Sequence, residues 1–251
     1  MARAAVLGRL TWRLAEVVAT LDETPTVRTL SLRVPDWPGH LPGQHVDIRL
    51  TAPDGYTAQR GYSIATPANG ERIDVTVERL EDGEVSPYLN GELVVGDQIE
   101  LRGPIGGYFV WEPSRGGPVL LVAGGTGVVP LMAMVRERAR RASTVPVRLL
   151  LSARTFADLV YRDELDRLAA ADDGFSVTYA LTRGAPAGWT GHRRRVDEAM
   201  LAEIAWPVEA GAQTFVCGST PFVEAVTSGL VALGHPAASI RTERYGAAGA
   251  S

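Results

Sequence analysis

The sequence predicts two domains in series. An antiparallel β-barrel occupies residues 1–112, and a doubly wound parallel α/β domain occupies residues 113–251. Three observations carry this reading. Up to Trp111 the chain is a set of short alternating runs separated by turn dipeptides. After it, uninterrupted apolar runs alternate with helical spacing, the pattern of a parallel sheet. At 251 residues the chain is also long enough to bury two cores.

The elements follow in order. The opening stretch, 1–20, is apolar enough to suggest a leader, but Arg9, Arg13 and Glu16 interrupt it, so it is read as part of the domain. Leu30, Leu32 and Val34 alternate, as do Val46, Ile48 and Leu50, then Ile73, Val75 and Val77. Such period-two runs are half-buried strands. Pro-Gly, Asp-Gly and Asn-Gly pairs at 42–43, 54–55, 69–70, 82–83 and 90–91 read as turns between them. One helical turn is expected at 86–89. Residues 112–118 (E-P-S-R-G-G-P) have the composition of a linker. Residues 119–123 form an apolar run suited to a strand covered on both faces. A glycine cluster follows, then Leu131, Met134, Val135 and Arg138 at helical spacing. Further strands are expected at 147–151, 175–181 and 214–216, with helices at 158–170, 196–204 and 222–233. The tail after Tyr245 reads as loose.

Composition removes whole classes of function. The net charge of −4 gives no general reason to expect nucleic acid. The arginine clusters at 136–141 and 193–195 read as a solvated helix face and a solvated loop. No run of eighteen apolar residues exists to span a membrane. The single cysteine, Cys217, allows no internal disulfide and no cysteine-ligated iron–sulfur cluster. The four histidines (His40, His45, His192 and His235) lack ligand spacing, so no metal is expected. All 25 basic residues are arginine. Without lysine there is no pyridoxal Schiff base, no P-loop lysine and no kinase lysine.

Two motifs carry chemistry. A-G-G-T-G-V-V-P, from Ala123 to Pro130, follows a buried strand and opens a helix. Its glycines let backbone approach a ligand, and a helix start offers N–H groups to phosphate. Taken alone, it reads equally as a strand-to-helix turn with no ligand. R-G-Y-S-I-A-T, from Arg60 to Thr66, sets an arginine, a phenol and a hydroxyl close together. Arg60 and Tyr62 share a strand face, and Ser63 lies on the other face or where the strand ends. The arginine can grip a phosphate bidentately, and the ring offers a flat surface. An ordinary strand with an exposed arginine accounts for these residues too.

Order along the chain separates these alternatives. R-G-Y-S (60–63), G-E-V-S (83–86), G-P-I-G (103–106), G-G-T-G (124–127), C-G (217–218) and E-R-Y (243–245) occur in that sequence. From about Trp12 to Tyr245 the chain resembles the ferredoxin–NADP(+) reductase family. The resemblance implies a flavin-binding barrel followed by a nicotinamide-nucleotide domain. It implies that Arg60 binds the flavin phosphate, that Tyr62 packs on the flavin or its ribityl chain, and that Ser63 sits near the reactive N5. Gly83, Val85 and Ser86 would close over the pyrophosphate. Gly124, Gly125, Thr126 and Gly127 would bind the nucleotide pyrophosphate, with Gly218 beside them. Cys217 would lie near the nicotinamide, Glu243 would relay a proton or remain a surface charge, and Tyr245 would cover the isoalloxazine.

The resemblance also guides cofactor and partner. Thr182 and Arg183, with Arg154, end the strands where a 2′-phosphate would be read, and Arg162 lies nearby. NADPH is therefore expected over NADH. FAD is expected over FMN, because no fused iron–sulfur segment is present. Electrons must then leave singly to another molecule: a ferredoxin, a flavodoxin, an oxygenase or another redox protein. Arg193–Arg195 would be one landing place for an acidic acceptor. A cytoplasmic monomer is expected. Alternatives are a reductase of free flavin, a flavin-free dehydrogenase, and a non-catalytic electron-relay or nucleotide-sensing subunit.

Overall fold

The computed structural model describes residues 10–171 and 174–245. The expectations for the first nine residues and for the tail after Tyr245 lie outside the described residues. The N-terminal half contains β1 (Arg13–Thr24), β2 (Val27–Arg33), β3 (His45–Thr51), β4 (Thr57–Ser63), β5 (Arg72–Glu78), the short helix α1 (Ser86–Gly91) and β6 (Gln98–Ile105). The strands pair antiparallel in the order β4-β3-β6-β1-β2-β5. An Ile64–Val75 bridge and the 2.8 Å bond from Ala65 N–H to the Asp74 carbonyl join the two ends into a barrel. The alternating residues point inward: Leu30, Leu32, Val34, Val46, Ile48, Ile73, Val75 and Val77 are each fully buried. Two strands escaped the alternation. In β1 Ala15 and Val17 are buried, but Leu14 and Leu21 point outward and blur the period. In β6 the half-exposed Glu100 and Arg102 alternate with buried Ile99, Leu101 and Gly103, and only two large apolar residues mark the period.

The C-terminal half alternates strand and helix: β7 (Val119–Gly124), α2 (Val128–Arg140), β8 (Val147–Thr155), α3 (Arg162–Ala171), β9 (Phe175–Gly184), α4 (Glu198–Ile204), β10 (Gln213–Ser219), α5 (Thr220–Ala232) and β11 (Ile240–Tyr245). The sheet is wholly parallel, ordered β11-β10-β7-β8-β9. Along β7, Val119, Leu121 and Ala123 enter the core under α2 and α3, while Leu120 and Val122 enter the one under α4 and α5. Burial on both faces explains the unbroken apolar run. Among the described residues no helix is long and apolar enough to cross a membrane.

Three local expectations need correction. Asn90–Gly91 ends α1 rather than turning between strands, because Asn90 is held by the carbonyls of Thr26 and Val77. The helix expected from Asp158 starts only at Arg162, and Asp158 lies in a turn before it. Its carboxylate accepts from the Thr155 N–H (2.9 Å) and hydroxyl (2.8 Å), closing a separate turn at 156–158. Residues 136–141 are a solvated face only in part: Ala139, Arg140 and Arg141 are exposed. Arg138 and Glu137 are buried, and Arg140 and Arg141 both pair with the Glu137 carboxylate. Helical spacing alone did not separate a solvated arginine from one whose charge is satisfied inside.

Arg136 is the pin between the two halves. It grips Glu164 of α3 through two bonds (3.0 and 2.6 Å), donates to the Ala65 carbonyl of the barrel (2.8 Å) and lies 4.8 Å from the Tyr161 ring centroid. The Tyr161 hydroxyl bonds that of Thr76, which lies 2.8 Å from the Thr29 hydroxyl. Arg136→Ala is expected to lower stability by about 2–3 kcal/mol, since it strands a carboxylate and a carbonyl. Arg136→Lys should recover little of this, because an ammonium cannot reproduce the fork. Urea unfolding of both variants checks the order.

Candidate functional site

The parallel sheet reverses its winding between β7 and β10, and ligands of such sheets bind outside the carboxyl ends of the strands at that point. The G-G-T-G turn leaves β7 there and rests on the Cys217–Gly218 end of β10. A Cβ on Gly127 would lie 2.2 Å from the Cys217 carbonyl oxygen, and one on Gly218 would lie 2.6 Å from the Phe222 ring. Gly124 has the same ring 3.0 Å away. Gly125 adopts φ +56°, a conformation that side chains disfavour. The turn leads into the thirteen-residue helix α2 without any side-chain cap, although the Val128 N–H turns back to the Gly125 and Thr126 carbonyls. This is a cradle that only glycine can line.

The cradle is tied to the barrel. The Thr126 hydroxyl donates to Glu78 at the end of β5 (2.9 Å), and the Tyr245 hydroxyl donates to the Gly124 carbonyl. Tyr245 is 40 % exposed. Partial burial, aided by the Glu78 carboxylate, pushes its phenol up to about 12.

Four polar side chains from four strands meet at the junction. Register places Cys217 of β10 beside Glu243 of β11, and Ser63 of β4 opposite His45 of β3. The His45 Nδ1 atom is 3.9 Å from Glu243 Oε1. The other carboxylate oxygen of Glu243 is buried with no partner among the described residues. Burial pushes the Cys217 thiol up, with Glu243 adding to it, so Cys217 packs as a neutral thiol rather than a nucleophile. Ser63, Cys217, Glu243 and Tyr245 thus lie around one junction. His45 and Glu78 were missed as members, because a scattered histidine and a strand-end glutamate carry no motif.

Burial raises Glu243 from an ordinary 4.5 to about 7. The folded protein therefore holds this proton more tightly than the unfolded chain. The resulting stability is full below 4.5 and is lost as pH rises through about 7. Glu243→Gln should remove that slope, so the variant gains on the parent between pH 5 and 8, as paired denaturation curves would read.

The barrel groove is built from β4 and the loop before α1. Tyr62 packs on the barrel core, and burial pushes its phenol well up. Arg60 forms a 3.0 Å pair with Glu84, whose other oxygen accepts from the Tyr56 hydroxyl at 2.6 Å. Val85 is wholly buried, and the Ser86 hydroxyl accepts from the Leu80 N–H (3.1 Å). Their side chains are thus engaged within the barrel, and what this loop offers a ligand is backbone. A Cβ on Gly83 would lie 2.8 Å from the Ser86 hydroxyl, so the loop is closed tightly on itself.

At the far edge a register shift between β8 and β9 brings Arg154 beside Thr182 and Arg183. The Thr182 hydroxyl donates to the Ala153 carbonyl (3.3 Å). Arg154 and Arg183 are exposed and have no ion pair among the described residues. Arg162 is engaged elsewhere: it pairs with Asp163 (2.7 Å), lies 4.2 Å from the Phe156 ring centroid and lines a cavity of about 540 Å³ beside the Leu21–Pro25 turn. In the 193–195 cluster, Arg194 pairs with Asp197 and Arg193 donates to the Trp189 carbonyl, so two of its three charges fold their own loop.

Comparison with known proteins agrees with this arrangement. The oxidoreductase FAD-binding domain family matches residues 15–110, and the oxidoreductase NAD-binding domain family matches residues 121–228. Ferredoxin–NADP reductase B of Sorangium cellulosum is 36 % identical over 241 residues, covering 92 % of this chain and 96 % of that protein. The glycine betaine monooxygenase reductase subunit of Chromohalobacter salexigens is 33 % identical over 236 residues. That match covers 92 % of this chain but only 63 % of the longer relative. Among solved structures, the flavohem-like FAD/NAD binding domain of nitric oxide dioxygenase from Vibrio cholerae superposes with a TM-score of 0.83 at 27 % identity, covering 93 % of this chain and 98 % of that one. With a barrel, a glycine cradle and a junction of this kind, the chain belongs to the ferredoxin–NADP reductase family of FAD-dependent NAD(P)H oxidoreductases.

Proposed function

We propose that the chain moves a hydride from NADPH to FAD and passes the electrons singly to a separate redox protein. Residues 1–112 hold the flavin and residues 113–251 the nucleotide. One observation carries this reading: Ser63, Glu243 and Cys217 meet at a junction flanked by Arg60 on the barrel and by a glycine cradle on the sheet. FAD, when bound, supplies the hydride acceptance and the one-electron release.

The protein supplies position and protons. Arg60 leaves Glu84 to hold the flavin phosphate, and backbone of residues 83–86 closes beside it. Tyr62 gives the ring system a wall. Ser63 offers a donor and an acceptor at N5. Gly124, Gly125, Thr126 and Gly127 seat the nucleotide pyrophosphate, with Gly218 leaving room behind them. Arg154, Thr182 and Arg183 hold the 2′-phosphate, which favours NADPH over NADH. Glu243 keeps a proton close to neutral pH. Tyr245 would cover the flavin ring and shield it from water.

The likeness to a monooxygenase reductase subunit supports an oxygenase component or a ferredoxin as acceptor. A cytoplasmic monomer suits this role. The test is an anaerobic visible spectrum of the FAD-loaded protein before and after one equivalent of NADPH, repeated with NADH. Fast bleaching by NADPH, slower bleaching by NADH and recovery on adding a one-electron acceptor are expected. A protein that retains no FAD overturns the reading.

A further inference from the structure

We propose that Glu78 competes with the nucleotide diphosphate for the Thr126 hydroxyl, and so acts as an anionic guard that weakens nucleotide binding and speeds its release. The inference rests on the function proposed above and adds a control on affinity to the same site. The Thr126 hydroxyl donates across the two domains to the Glu78 carboxylate at 2.9 Å. A threonine has one O–H to give. A diphosphate on the turn needs that donor and offers none in return. To take it, the diphosphate must first displace the carboxylate.

Donors at the turn are few. Residues 123–130 (A-G-G-T-G-V-V-P) hold no cationic side chain, and Thr126 carries the one hydroxyl among them. The Val128 N–H is turned back to the Gly125 and Thr126 carbonyls. An anion seated here therefore depends on the remaining backbone N–H groups and on this hydroxyl. The other strap across the turn runs from the Tyr245 hydroxyl to the Gly124 carbonyl, so it takes an acceptor and leaves the donors alone. Glu78 is the strap that occupies a donor.

Charge adds to the competition. Glu78 ends β5, half-buried, and has no ion pair among the described residues. Its field reaches the turn, since burial and the Glu78 charge together hold the Tyr245 phenol up. The cations proposed for the nucleotide, Arg154 and Arg183, stand on β8 and β9 at the far edge of the sheet, so they attract the 2′-phosphate and do not neutralise Glu78. The diphosphate thus meets an unpaired carboxylate, and like charges so close repel. The consequence is a nucleotide held firmly at one end and loosely in the middle. Such a nucleotide leaves quickly once its hydride is spent. A mere tie between the domains needs only an acceptor, which a neutral side chain supplies equally well.

Calorimetric titration of the FAD-loaded protein with NADP+ tests this. Glu78→Gln keeps an acceptor for Thr126 and removes the charge. It should tighten NADP+ by about fivefold or more. Inorganic pyrophosphate, used as a competitor, should tighten as well. Adenosine 2′-monophosphate, which lacks the diphosphate, should change by less than about twofold. The variant's affinity should fall more steeply with added salt than the parent's, because screening relieves a repulsion in the parent that the variant no longer has. With ferricyanide as acceptor, the KM for NADPH should fall without a rise in kcat. Glu78→Ala is read in the same way if the glutamine variant misfolds. Unchanged or weaker NADP+ binding, or equal tightening of adenosine 2′-monophosphate, overturns the proposal. A protein that shows the tightening but retains no FAD overturns the function alone. A parent and variants that bind neither NADP+ nor pyrophosphate overturn both.

Discussion

Gly127→Ala should lower the unfolding free energy by about 3 kcal/mol or more, and the melting midpoint by about 6 °C or more. The demand at this position is space, not conformation. Gly127 has an ordinary helical φ of −59°, yet its Cβ would lie 2.2 Å from the Cys217 carbonyl oxygen, 2.5 Å from the carbonyl carbon and 2.9 Å from the Gly218 nitrogen. All three atoms are backbone in the central strand pair, so no rotamer change can relieve the clash. Either β10 or the turn must move. Because the turn is the proposed pyrophosphate seat, NADPH binding should weaken by about tenfold or more as well. Gly107→Ala is the control, since nothing lies within 4 Å of its Cβ. Thermal unfolding and the NADPH concentration dependence of flavin reduction read the two effects. Equal melting of the two variants would mean that the turn does not rest on β10.

Arg60→Ala should weaken FAD binding by about tenfold to a hundredfold, the worth of charge-assisted bonds to a phosphate. Glu84→Gln should act in the opposite direction and tighten it severalfold. Arg60 and Glu84 form a 3.0 Å pair whose side chains are 43 % and 48 % exposed. Exposed pairs of this kind contribute about 1 kcal/mol at most. A phosphate that receives two guanidinium bonds therefore wins the competition, but it must first displace the carboxylate. Removing the Glu84 charge removes that competitor, and Tyr56 loses an anionic acceptor without loss of the groove. Flavin fluorescence quenching on titration of the flavin-free protein measures both variants. Loss of affinity in Glu84→Gln would show that this carboxylate helps to hold the flavin.

The site was legible wherever backbone chemistry demanded a residue type. Gly124, Gly127 and Gly218 could be read as points of close approach, which requires glycine, while the ligand assigned to them came from the ordered resemblance alone. Strand periodicity puts Arg60 and Tyr62 on one face, but their role came from the resemblance alone. The misreadings share a different cause. Arg136 and Arg138 follow helical spacing, but whether such a charge meets solvent or a buried carboxylate depends on the element packed above it. β11 was missed because only Ile240 among its six residues is buried, so it carries no apolar period.

By itself the sequence determined the class of molecule. Period two followed by paired strand and helix spacing specifies a barrel and then a parallel sheet, because each period matches one way of burying an apolar face. The absence of lysine and the lone cysteine closed off other chemistries. Only the tertiary structure decided which polar groups meet. It set Glu78 against Thr126, Cys217 beside Glu243, and His45 within 3.9 Å of that carboxylate. These partners come from strands far apart in the chain. Their meeting depends on how the barrel docks on the sheet, through Arg136, Thr76 and Tyr161, and no local pattern of residues encodes that docking.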